Sequence, residues 1–192
     1  MVPMNPFEIV GVVTGILGVW LTTRQKIWCW PVGLVSVVAF IVVFFRAKLY
    51  AAMGLQFVYV GLIAYGWYSW LHGGAGHRAL VVSRLPRRLV ALLAMAGAGA
   101  SLVLGFWLGR RTDEALPYLD GFTTSFSLIA QWMQARKHLE NWLVWVVVDV
   151  VYVGMSLSQG LTLTAGLYVI YICLALLGLR DWRRSMAAVA RP

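Results

Sequence analysis

The sequence predicts an all-α membrane protein with seven transmembrane helices, built as two parallel three-helix repeats joined by a linking helix (3+1+3). Three observations carry this. First, 61% of the 192 residues are hydrophobic and 12% charged, with mean hydropathy +0.78, whereas soluble domains run near 45 to 50% and 25%. Second, the apolar residues fall into seven runs, each long enough or nearly so to cross a bilayer as a helix, the structure that satisfies its own backbone where water is absent. Third, the chain matches itself at a constant offset.

The runs are about 6 to 22, 29 to 45, 50 to 71, 88 to 108, 117 to 135, 141 to 158 and 161 to 179. The start, MVPMNPFEIVGVVTG, lacks a basic n-region and an A-x-A cleavage pattern and reads as a retained first helix. Connections are short except for His72 to Arg87. Twelve Lys and Arg fall in loops one, three and five and the C-terminal tail, against Arg46, Lys48, Arg110 and Arg111 on the other side. The positive-inside rule therefore puts the N-terminus outside and the C-terminus in the cytoplasm. The net charge of +9 serves orientation; no aromatic-plus-basic soluble module points to nucleic acid. Cys29 and Cys173 lack C-x-x-C spacing and imply neither a disulfide framework nor a metal site.

An offset of 112 without a gap pairs Trp20 with Trp132, Arg24 with Arg136, Trp30 with Trp142, Gly54 with Gly166, Tyr59 with Tyr171, Gly66 with Gly178 and Trp70 with Trp182. Leu matches are cheap in such a chain; three Trp pairs and a Tyr pair are not. Residues 6 to 71 and 118 to 183 are thus duplicated units. A three-helix unit ends on the side opposite its start, so one extra crossing is needed to keep the copies parallel. The run 88 to 108 supplies it, and its small residues at 96 to 101 allow close helix packing. The expected divisions are 1–71, 72–116 and 117–192. Parallel repeats occur in transporters, with substrate held near the midplane.

Asp149 lies about eight residues into the sixth run, roughly 12 Å deep in a core about 30 Å thick. A carboxylate there costs at least about 2.5 kcal/mol and marks a functional candidate. Trp142, Trp145 and Asp149, at i, i+3 and i+7, share a helix face, with Tyr152 at its edge. Two indoles and an acid suit a flat aromatic cation. Trp142 alone also fits the interfacial aromatic belt, and Asp149 alone also fits an acid that locks two helices together. Gln131, Tyr168 and Gln56 are the next candidates as substrate contacts, followed by Tyr59, Tyr171 and Thr164; the fifth helix gathers Thr124, Ser127, Gln131 and Gln134 on one side. For each polar residue taken singly, hydrogen bonding between helices is the plainer role. His72, His77 and His138 sit in loops, no catalytic spacing occurs, and Glu140 beside Arg136 and Lys137 reads as a surface ion pair. No enzyme, cofactor or metal is expected. A homo-oligomer stays open, because small-residue faces serve packing within or between chains.

The stretch QWMQARKHLENWLVWVVVD, then GLTLTAGLY and GLRDW, with the earlier LQFVY and GWYSW, resembles the PnuC-type vitamin transporters of bacteria over nearly the whole chain. That resemblance implies a multi-pass protein of the bacterial inner membrane with a 3+1+3 fold related to the SWEET sugar transporters. It also implies uptake of nicotinamide riboside by facilitated diffusion, with trapping by phosphorylation. The family motif W-x-x-W-x-x-x-N is met by Trp142, Trp145 and Asp149, implying that the two Trp sandwich the nicotinamide ring. The last position departs, Asp for Asn. An acid favours a cation, either the pyridinium of nicotinamide riboside or the thiazolium of thiamine, over a neutral isoalloxazine. The alternative from another class is a membrane enzyme or non-transporting subunit sharing the repeat.

Overall fold

The computed structural model describes residues 6–48, 50–112 and 115–189. Seven long helices follow the apolar runs: α1 Pro6–Thr23, α2 Cys29–Arg46, α3 Tyr50–His72, α4 Arg87–Arg111, α5 Pro117–Ala135, α6 Asn141–Ser158 and α7 Thr162–Val189. A 3-10 turn, Ala75–His77, interrupts the long connection. Five of them, α1, α2, α4, α6 and α7, are long and apolar enough to cross a membrane by length and composition. The other two carry more polar and aromatic groups, a Thr, Ser and Gln face on α5 and Gln56 and several Tyr on α3. The seventh helix departs from expectation. Apolarity ends near residue 179, but the helix runs on through Arg180, Asp181 and Arg183 for 28 residues in all, because Arg, Met and Ala there are good helix formers once water can solvate the side chains.

The chain forms two compact units, Met1–Val81 and Val82–Pro192. In the first, α2 packs against both α1 and α3. In the second, α4 packs on α5, α5 on α6 and α6 on α7. Small residues bring α4 close. Gly97, Ser101 and Gly105 are buried one turn apart, and a Cβ on Gly121 of α5 would stand 2.7 Å from the Ser101 carbonyl oxygen and 2.8 Å from the Gly105 nitrogen. The small-residue stretch of the fourth run does seat a helix, and its partner is α5.

Each unit has the same socket. Trp30 is 2% exposed and meets Trp70 edge to face, centroids 5.3 Å apart at 88°. Trp142 is 1% exposed and meets Trp182 at 5.3 Å and 85°. Beneath each indole lies a glycine, Gly66 under Trp30 and Gly178 under Trp142, where any Cβ would collide with the ring. The turns repeat as well. Gln25 (φ 53°) and Lys137 (φ 52°) take the left-handed conformation between the first and second helices of their units, and Lys48 (φ 60°) and Gly160 (φ 73°) take it between the second and third. A left-handed residue with a side chain costs roughly 1 to 2 kcal/mol, so its recurrence 112 positions on reflects one shared chain path.

The connection before α4 is pinned in the second unit. Ser83 N–H donates to the Lys137 carbonyl at 3.0 Å, Leu139 N–H donates to the Ser83 carbonyl at 2.9 Å, and Ser83 Oγ lies 3.1 Å from His138 Nδ1. Glu140 has a partner beyond the basic residues beside it in sequence. Its Oε2 accepts the Leu85 N–H at 2.9 Å, a backbone donor outside any helix whose bond to a carboxylate is strengthened by the charge. Burial pushes the His138 pKa below its usual value, Glu140 partly opposes this, and Arg136 adds to it.

Candidate functional site

The chemistry gathers in the second unit, where α6 presents Trp145, Asp149 and Tyr152 along one face. Asp149 is 5% exposed and, among the described residues, has no hydrogen bond and no Lys or Arg beside it. A buried carboxylate without a partner is costly by several kcal/mol, and an ionisable residue kept at such a position is a candidate for function. Its surroundings are aromatic. Tyr152, one turn on, and Tyr171 of α7 both lie within electrostatic reach of it.

Those rings form a group. Tyr152 stacks on Tyr168 with centroids 4.5 Å apart and planes 8° from parallel, and Tyr168 meets Tyr171 at 6.2 Å and 60°. The Tyr152 hydroxyl is held by the Thr123 and Ser127 hydroxyls of α5, and Asp120 lies near it. The Trp145 indole N–H donates to Gln134 Oε1 at 3.2 Å, which fixes the plane of the ring. A flat cation placed here would meet π faces and one negative charge, the two features that attract it.

Of the nine expected contacts, Asp149, Tyr168 and Tyr171 stand together, with Trp145 one turn along α6. Gln131 is partly buried on α5, one turn from both Ser127 and Gln134, and Thr164 is exposed one turn before Tyr168. Gln56 and Tyr59 are partly buried on α3 of the first unit, 112 positions before Tyr168 and Tyr171. Trp142 is 1% exposed in this conformation. It is enclosed by Trp182 and Gly178, and its twin Trp30 is enclosed the same way where no acid is near, so its packing belongs to the repeat. Both indole N–H groups are buried without a partner, another trait they share.

Tyr152, Thr123 and Gln134 were not among the expected contacts. Tyr152 was legible as Asp149 plus three. Thr123, rather than Thr124, faces it, and the sequence carried that too, in the i, i+4 spacing of Thr123, Ser127 and Gln131.

The offset shows what is particular to the second unit. Where it has Thr123, Ser127, Trp145, Asp149 and Tyr152, the first has Gly11, Gly15, Gly33, Val37 and Phe40. The geometry is nonetheless retained: a Cβ on Gly11 would lie 2.9 Å from the Phe40 ring, the counterpart of Thr123 against Tyr152.

Residues 5–184 match the family described as nicotinamide mononucleotide transporter. The chain belongs to that family. Among its members, the nicotinamide riboside transporter PnuC of Escherichia coli (strain K12) is 28% identical, over 93% of this chain and 85% of its own. The riboflavin/roseoflavin transporter RibM of Streptomyces davaonensis is 29% identical, over 96% and 88%. The nicotinamide riboside transporter PnuC of Neisseria mucosa is 30% identical, over 91% and 71%. A crystal structure of the vitamin B3 transporter PnuC superposes with a TM-score of 0.76 at 28% identity, covering 97% of this chain and 84% of that one. The nicotinamide mononucleotide transporter family thus accounts for the seven-helix order, and this chain is a multi-pass membrane protein.

Proposed function

We propose that this protein carries nicotinamide riboside across the bacterial inner membrane by facilitated diffusion, with retention by phosphorylation after entry. The observation that carries the reading is Asp149, an almost fully buried acid lacking an internal counter-charge and set among Trp145, Tyr152, Tyr168 and Tyr171. The pyridinium of the nucleoside supplies the missing charge and a flat face; Gln131 offers a donor and an acceptor for its amide or ribose. The names of the relatives from E. coli and N. mucosa support the same cargo.

A nucleoside suits the site better than its phosphate. No Lys or Arg occurs in residues 117–135, 141–158 or 162–179, so a phosphate would meet a carboxylate with no cation to offset it. Thiamine, also a flat cation, is the second reading. Riboflavin, named for the S. davaonensis relative, would leave Asp149 unbalanced and ranks below both. In this reading the N-terminus is outside and the Arg-bearing end of α7 is cytoplasmic, as the distribution of basic residues favours.

The test is uptake of labelled nicotinamide riboside and thiamine into proteoliposomes, wild type against Asp149→Ala. Uptake by the wild type that falls at least tenfold in the variant is expected; vesicles that take up neither compound overturn the proposal.

A further inference from the structure

Tyr152 holds the position that most constrains the seat. Its ring lies on Tyr168 at 4.5 Å and 8°, whereas a flat guest between two rings needs two contact layers, roughly 7 Å in all. The two tyrosines therefore leave no gap for a third ring. The Tyr152 hydroxyl is meanwhile tethered to Thr123 and Ser127 on α5, so the ring is held against Tyr168 from the far edge. The corresponding residue of the first unit, Phe40, has neither a hydroxyl nor hydroxyls opposite it, since Gly11 and Gly15 stand there. The tether exists only in the unit that carries the acid.

We propose that Tyr152 is a placeholder, its ring covering in the empty seat the face of Tyr168 that a flat cationic ring covers when bound. Loading then exchanges one stack for another, and Tyr152 acts as a positioning residue that raises the affinity any guest needs in order to be held. A guest must outcompete a neutral phenol for the same face, which a cation does through its attraction to the tyrosine ring and to Asp149. A neutral ring gains no such advantage. The placeholder therefore lowers the apparent affinity of every guest by the same factor, set by the fraction of time the face is open, and a neutral ring, which starts from a weaker intrinsic affinity, is left the less able to hold the seat.

The inference rests on the proposed function and is tested by calorimetry on the detergent-solubilised full chain, with nicotinamide riboside and thiamine as probes. Tyr152→Ala is expected to bind about two- to tenfold more tightly than the wild type, the range set by the worth of one aromatic stack, while Tyr168→Ala binds more weakly. Tyr152→Phe, which cuts the tether and keeps the ring, is expected to tighten binding by about twofold, and Thr123→Val, which removes one of the two hydroxyls that hold it, by less; they keep the test open where Tyr152→Ala does not fold. Tyr152→Ala weakening binding as much as Tyr168→Ala would make Tyr152 an ordinary wall of the seat. Unchanged affinity in the folded Tyr152 variants and in Thr123→Val would mean that its ring does not stand in the way. Either result overturns the placeholder and leaves the transport reading intact. Wild-type protein that binds neither probe overturns both.

Discussion

Trp142 meets Trp182 edge to face, 5.3 Å between centroids, with Gly178 directly beneath the indole. A Cβ at Gly178 would sit 2.5 Å from the ring, and Trp142 is itself fully buried. Gly178→Ala is expected to destabilise the protein by about 1 to 3 kcal/mol, the usual cost of overpacking, and Gly66→Ala similarly. Gly154→Ala, whose new Cβ would meet nothing within 4 Å, serves as the control. Thermal unfolding in detergent reads the difference, and equal melting points for all three variants would contradict the socket.

Trp145→Ala is expected to weaken nicotinamide riboside binding by more than about 1 kcal/mol through lost stacking and cation–π attraction. Gln134→Leu, which keeps the indole and removes its 3.2 Å hydrogen bond, is expected to weaken it by less. Calorimetry on both variants separates the ring from its orientation. An unchanged dissociation constant for Trp145→Ala would mean the indole only packs.

Asp149→Asn restores the family motif, and its effect divides charge from shape. A unit charge pair about 4 Å apart is worth up to about 4 kcal/mol at an effective dielectric of 20, part of which desolvation takes back. Binding of cationic vitamins is expected to fall about tenfold or more, and binding of riboflavin to hold or rise. Competition between the vitamins on the two proteins measures the ratio; equal losses for charged and neutral ligands would remove charge from the account.

His138 gives a pH dependence outside the membrane. Burial lowers its pKa in the folded protein below the unfolded value of 6.5, so the unfolded chain takes up the proton first. The associated stability is fully present above pH 6.5, is lost as pH falls toward the lowered value, and then levels off. Hydrogen exchange at Ser83 and Leu139, whose amides tie the connection to the turn, is expected to speed up relative to its intrinsic rate on acidification through this window. The His138→Gln variant should flatten the response.

Much of this was legible in the residues. Helix positions followed from apolar runs, because a bilayer leaves few alternatives to a helix, and the end of α7 escaped because hydropathy reports the edge of the lipid and not the end of the hydrogen-bond ladder. Trp142 and Trp145 looked alike on a helical stripe. What separates them is the pairing of Trp142 with Trp30 and of Gly178 with Gly66, already visible at the offset. Tyr152 was legible on the stripe, but its neighbours were not. Its importance lies in a ring contact with α7 and hydroxyl contacts with α5, and spacing within one helix cannot convey which neighbour a side chain meets.

The sockets recur in a unit where Val37 stands in the place of Asp149, so their upkeep owes nothing to the cargo. Lesions at position 149 should yield cells that still accumulate the protein in their membranes yet starve for the vitamin, whereas lesions at Gly66 or Gly178 should deplete the protein itself. Two kinds of loss, one of traffic and one of abundance, are written into separate parts of the same helices.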